Sequence, residues 1–107
     1  MYGTIARIKA LPGKAKEFDA IGERQARAGV PGWVTTLAFR SDSDPDEIWI
    51  AVAFESKEAY LANANSPEQQ ARFQQFRALT AADPEWHDGE VTVHASPAVK
   101  ALVGARI

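Results

Sequence analysis

Three observations predict an α+β fold of the ferredoxin-like kind, a βαββαβ sandwich with helices on one face of a four-stranded antiparallel sheet. The 107 residues are enough for one hydrophobic core and too few for two. Strand-forming residues mark the segments that begin at Tyr2 and Trp33, the segment from Ile48 is apolar throughout, and apolar residues recur at helical spacing in the segments between and after them. The resulting order is strand, helix, strand, a polar hairpin, then strand, helix, strand. Two split βαβ units of this kind close into such a sandwich when both crossovers are right-handed.

The first strand runs from Tyr2 to Ala10 on the β-formers Tyr2, Thr4, Ile5 and Ile8, and stops at Leu11-Pro12-Gly13. From Lys14 to Ala28 the pattern is helical. Ala15, Phe18 and Ile21 make an apolar stripe, and Lys14, Lys16, Glu17, Glu23, Arg24 and Arg27 a solvated face. Gly29-Val30-Pro31-Gly32 ends that helix, since glycine accepts the left-handed cap and proline cannot extend the ladder. The second strand, Trp33 to Arg40, is read with Trp33, Thr35, Leu37 and Phe39 on one face. Ser41 to Asp46 is the hairpin loop. Ile48 to Phe54 is apolar on both faces and reads as a central strand. Ser56 caps a short helix from Lys57 to about Ala64. Ser66-Pro67-Glu68-Gln69 opens the next, with serine at the N-cap, proline at the first helical position and glutamine at the third. That helix carries Phe73, Phe76 and Leu79 inward and ends before Asp83-Pro84. Asp88-Gly89 reads as a turn, which makes Val91 to His94 the last strand. Residues 1–96 form the domain, and 97–107 a tail for which the dimer interface is one place.

Composition removes several functions. Lysine and arginine number 12 against 14 aspartates and glutamates, a net charge of −2 without the basic stripe of a nucleic-acid binder. With no cysteine there is no disulfide framework, thiol nucleophile or thiolate metal site. Asp42, Asp44 and Asp46 resemble the opening of a calcium loop, but Glu47 and Ala53 stand where that loop needs glycine and a bidentate glutamate. No Gly-x-Ser-x-Gly elbow, phosphate-cradling loop or dinucleotide fingerprint occurs. No apolar run approaches the ~20 residues of a membrane span, and the first residues lack the charged head and apolar body of a secretory signal. The expectation is a cytoplasmic protein with neither nucleic acid nor membrane as partner.

A central strand that is apolar on both sides has a consequence. Helices cover only one face of such a sheet, so Trp49, Ala51 and Ala53 need another cover. A second copy packed sheet against sheet, a C2 homodimer, supplies it; the tail from Pro97 is the alternative cover.

Several motifs in order resemble the antibiotic biosynthesis monooxygenase (ABM) domain family of the dimeric α+β barrel superfamily. They are Leu11-Pro12-Gly13-Lys14, Pro31-Gly32-Trp33, Arg40-Ser41-Asp42-Ser43-Asp44-Pro45-Asp46-Glu47, and Phe54-Glu55-Ser56-Lys57-Glu58-Ala59-Tyr60-Leu61 followed by Asn65-Ser66-Pro67. The resemblance spans residue 2 to about 95 and implies a ferredoxin-like protomer, a dimer through the sheets, and a pocket between sheet and helices. The family includes cofactor-independent monooxygenases that form quinones, haem-degrading enzymes and proteins without known activity. The haem-degrading members use asparagine, tryptophan and histidine where this chain has Ala6, Asn63 and Phe73, and phenylalanine cannot ligate iron.

The missing haem-site residues weigh toward a non-catalytic module, but of the functions the resemblance implies the leading expectation is a monooxygenase without a cofactor, acting on an aromatic or polyketide-like phenol. Such chemistry needs a phenolate that passes an electron to oxygen, an apolar pocket, a donor for the phenolate oxygen and a proton acceptor. Asn63 is the candidate donor and His87 the candidate base, with Trp33, Trp49, Tyr60, Phe73 and Phe76 as walls for the substrate. Each has a plainer reading. Asn63 can cap the C-terminal end of its helix, Phe73 and Phe76 can be core, Trp33 and Trp49 can be strand packing, Tyr60 an amphipathic rim residue and His87 a loop histidine. The alternatives in function are a non-catalytic dimer that binds a small hydrophobic ligand, and an isomerase or cyclase.

Overall fold

The computed structural model describes residues 1–97. Its elements are β1 (Tyr2–Lys9), α1 (Ala15–Ala26), β2 (Trp33–Arg40), β3 (Glu47–Phe54), α2 (Lys57–Ala64), α3 (Pro67–Ala78) and β4 (Glu85–Glu90). The strands form one sheet in the order β2-β3-β1-β4, every neighbouring pair antiparallel. This is the expected ferredoxin-like fold. Residues 98–107, the greater part of the expected tail, lie outside the described residues.

The registers sort the side chains into two faces. Thr36, Val52, Thr4 and Asp88 form one cross-strand row on the helix side, and Ala38, Ile50, Ala6 and Trp86 the next. The core sits there. Ala6, Ile8 and Ile48 meet Ala15 and Phe18 of α1, and Ile50, Phe76 and Leu79 pack against this cluster. The buried stripe of α1 is Ala15, Phe18 and Ile21, the triplet expected from its spacing. Arg40, on the same side, donates to Asp19 of α1 at 2.6 Å and ties the β2 end to the helix layer.

Leu37, Ala51, Ile5 and His87 make a row on the opposite face. Ile5, Leu37 and Phe39 are 53, 58 and 56% exposed on this face, so the described chain leaves it uncovered.

Two sequence expectations are corrected. The last strand is Glu85–Glu90, not Val91–His94. Asp88-Gly89 does not turn, because Gly89 lies opposite Gly3 and Glu85 opposite Arg7 in a continuous ladder on β1, with an Arg7–Glu85 ion pair at 3.2 Å. All six residues of β4 are exposed, so this edge strand has no inside-outside alternation for a sequence pattern to reveal. The second correction concerns β2. Its register shifts between Trp33 and Thr35, an irregularity that sets Trp33 opposite Phe54 on the helix side while Thr35, Leu37 and Phe39 face the other way.

Loop chemistry closes the layers. Gly32 has φ +76°, and a Cβ there would lie 2.6 Å from the Ala59 Cβ of α2, so only glycine lets the chain enter β2 at this point. Ser66 caps α3 by accepting from the Gln69 N–H at 3.1 Å and also donates to the Asn63 carbonyl at 2.8 Å, joining α2 to α3. Ser66→Ala is expected to lower stability by about 1 kcal/mol, the usual worth of an N-cap, measured as a shift of the urea midpoint without a change in slope.

Candidate functional site

Between the sheet and the helices lies a cavity of about 780 Å³. Ligand pockets run from roughly 300 to 1,000 Å³, so this one admits a ligand of several fused rings. Its floor is the row Thr36, Val52, Thr4 and Asp88 with Ile50 and Trp86 beside it, and its walls come from all three helices.

Of the residues expected to form a pocket, the fold brings Trp33, Tyr60, Asn63, Phe73 and Phe76 together around this cavity. Trp33 reaches it through the β2 irregularity and is fixed by its indole N–H, which donates to Thr36 Oγ1 at 2.8 Å. Phe76 packs on Phe18 with ring centroids 4.7 Å apart, so it belongs to core and cavity at once. Phe73 lies 6.4 Å from Trp86 across the cavity edge.

Trp49 and His87 are corrected: both lie on the opposite face of the sheet. Glu47, Trp49, Arg7 and Glu85 form a polar cluster there. Trp49 donates to Glu47 at 3.0 Å, and Arg7 bridges Glu47 at 2.9 Å and Glu85 at 3.2 Å. The Trp49 N–H and then the Arg7 guanidinium hold the Glu47 carboxyl below its ordinary value. His87 pairs with Ile5 and does not line the cavity. Period two decides this: once Glu85–Glu90 is a strand, Trp86 and Asp88 face the helices and His87 faces away. Trp86 and Asp88 are accordingly the cavity residues that reading the segment as a loop misses. No apolar alternation in the segment signalled this; only its pairing with β1 does.

Asn63 does not cap its helix. It lies inside α2, whose C-cap is Asn65 with φ −93°. The Asn63 Oδ1 accepts from Arg72 of α3 at 3.5 Å, leaving its amide hydrogens for a ligand. Neither histidine lines the cavity, and no three His, Cys, Asp or Glu side chains among the described residues are placed to hold a metal ion. With Phe73 at the wall and no histidine among the lining residues, the cavity does not fit the iron ligation of a haem site.

At the other end, the Tyr60 hydroxyl donates to Asp88 Oδ1 at 3.0 Å, and its ring is held edge-on by Tyr2 at 5.3 Å and Phe54 at 5.7 Å. Burial, reinforced by the hydrogen bond to Asp88 and its charge, pushes the Tyr60 phenol up to about 12. An unfolded tyrosine ionises near pH 10. The raised folded value therefore adds stability at all pH below about 10, and that increment is lost as pH rises from about 10 to about 12. Difference titration of tyrosinate absorbance between wild type and Tyr60→Phe is expected to show a component near pH 12 that the variant lacks.

The family model described as antibiotic biosynthesis monooxygenase matches residues 1–76. A solved protein of Chloroflexus aurantiacus J-10-fl, given the same family description, is 32% identical, with a TM-score of 0.73 over 88% of this chain and 96% of its own. SnoaB of Streptomyces nogalater, a cofactor-independent oxygenase solved as an asparagine-to-alanine mutant, is 18% identical. It superposes with a TM-score of 0.74 over 90% of this chain and 96% of its own. A Caulobacter crescentus CB15 protein with the family description is 20% identical, with a TM-score of 0.73 over 84% of this chain and 88% of its own. The last two likenesses concern the fold. No curated protein matches the chain.

Proposed function

The chain belongs to the antibiotic biosynthesis monooxygenase family, and from that premise we propose that it is a cofactor-independent monooxygenase acting on a polycyclic phenol. The observation that carries this reading is the aromatic-walled cavity of about 780 Å³ with Asn63 presenting free amide hydrogens to it. The substrate's phenol loses a proton, and the electron-rich phenolate reduces oxygen by one electron. The two radicals join at carbon as a peroxide, which loses water to leave a new carbonyl. For an anthrone, one methylene and one O₂ become one ketone and one water.

The chain's own part is positional and electrostatic. Trp33, Phe73, Phe76 and Trp86 hold the ring system away from water, and the Asn63 amide stabilises the anionic oxygen. With His87 on the far face, the proton leaves to solvent past the exposed β4. The functional unit is a homodimer closed through the open sheet face, whose apolar centre at Ile5, Leu37 and Phe39 is suited to burial.

The test is oxygen uptake with dihydroxyanthrone, read with the product spectrum. Expected is enzyme-dependent formation of the dione with one O₂ consumed per molecule. Binding of the compound without oxygen uptake above the blank would instead assign the cavity to ligand holding.

A further inference from the structure

One corner of the cavity holds polar groups that the oxidation does not use. Thr4 and Asp88 are cross-strand partners on the same face, so their side chains stand side by side on the cavity floor. Thr4 is 6% exposed, and its buried Oγ1 makes no well-formed hydrogen bond among the described residues, its nearest polar neighbour being the Tyr60 hydroxyl of the same corner. A hydroxyl withdrawn from water without a good hydrogen bond is costly, and here it opens onto an empty space large enough for a ligand. Asp88 accepts from Tyr60 through Oδ1 alone, so Oδ2 is free to accept a second hydrogen bond. Tyr60 uses its proton on Asp88 and keeps only acceptor capacity. The corner thus offers two acceptors and one rotatable hydroxyl beside a fixed negative charge.

We propose that Thr4, Tyr60 and Asp88 form a recognition subsite for an uncharged hydroxyl or amine donor on the ligand, remote from the oxygen that ionises. This rests on the cavity being a ligand site, as the proposed function requires, and adds to it the class of substrate: a ring system with donors at two ends. An ionised oxygen placed here would be buried and would face the Asp88 carboxylate, and Tyr60, a phenol held in this same corner, is kept protonated by burial first and by Asp88 second. The anionic oxygen belongs at the other end, where Asn63 donates and the Arg72 guanidinium stands behind it. The cavity is therefore polarised, and an asymmetric phenol enters it in one orientation.

The experiment measures dissociation constants anaerobically, by quenching of tryptophan fluorescence, for 1-naphthol, 1,5-dihydroxynaphthalene and 5-hydroxy-1-naphthoate. In wild type the diol is expected to bind about 10-fold tighter than 1-naphthol, the worth of one hydrogen bond to a charged group, and the naphthoate more weakly than 1-naphthol. In Thr4→Val and Asp88→Ala the diol's advantage falls to about 2-fold or less, and Asp88→Asn lifts the penalty on the naphthoate. A diol preference that survives both substitutions, no preference in wild type, or a naphthoate that binds as well as the diol would each overturn the subsite. Because no turnover is involved, an enzyme that failed to consume oxygen would refute the monooxygenase reading and leave this measurement standing.

Discussion

Asn63→Ala is expected to slow oxygen consumption on dihydroxyanthrone by about 100-fold, the usual cost of one lost oxyanion donor. The argument starts from helix α2, which holds Asn63 in its interior, where the side chain has no capping duty to the backbone. Arg72 of α3 engages the amide oxygen at 3.5 Å, and Arg72 also donates to Gln69 at 3.2 Å, so the guanidinium keeps a partner when the asparagine is removed. Alanine is the better helix former, by about half a kcal/mol, and α2 should be at least as stable in the variant. Activity and stability therefore separate. The loss should fall mainly on kcat, because the amide hydrogen bond strengthens as negative charge collects on the phenol oxygen, while anaerobic affinity for neutral 1-naphthol stays within about 3-fold. Asn63→Asp makes the complementary case: nearly the same shape, but a carboxylate facing the anion, so its rate should fall at least as far. Unchanged rates in both variants, with unchanged melting temperature, would remove Asn63 from the chemistry.

The contrast between Asn63 and His87 shows how far such a site is legible in a sequence. Asn63, Tyr60, Phe73 and Phe76 sit in helices whose caps and breakers are strong local signals, so the helices themselves are legible. The direction of Asn63 is not, because α2 has no pronounced apolar stripe and a capping role is open to the same residue. His87 depends on whether Glu85–Glu90 is a strand. That is decided by pairing with β1, more than 70 residues away in sequence, and not by local propensity. An exposed edge strand carries no apolar alternation, and Asp-Gly is a turn signal in isolation. The same dependence on pairing misplaced Trp33. Strict alternation puts it with Leu37 and Phe39, and the one-residue irregularity at the start of β2 moves it to the cavity. Trp49 had no such irregularity to move it, and its central strand is apolar on both faces, so sequence pattern could not choose between cavity and open face. The fold class was legible because it needs only the order of elements. The site required register, which the sequence encodes in distant pairings.

Register also sets the second large expected effect: Leu37→Asp combined with Phe39→Asp should convert the proposed homodimer into a monomer at micromolar concentration. Leu37, Ala51 and Ile5 form a continuous apolar row across β2, β3 and β1, and Phe39 stands next to Trp49 in the adjoining row. These side chains are more than half exposed at Ile5, Leu37 and Phe39, whereas the helix-side core is closed by Phe18, Ile48 and Phe76, so the substitutions leave protomer packing untouched. Two such faces stacked about 10 Å apart would interdigitate these apolar groups, as in any sheet-on-sheet core. Two-fold symmetry presents each substitution twice, so the double variant places four carboxylates in a surface with no lysine or arginine among its central rows apart from Arg7, already engaged by Glu47 and Glu85. A rise of about 1,000-fold in the dimer dissociation constant, roughly 4 kcal/mol, is the expected size. Native mass spectrometry and sedimentation equilibrium read it directly. The wild-type melting temperature should rise with protein concentration, and that dependence should vanish in the variant. A double variant that sediments as wild-type dimer would place the interface elsewhere and leave the apolar row of this sheet without a partner copy.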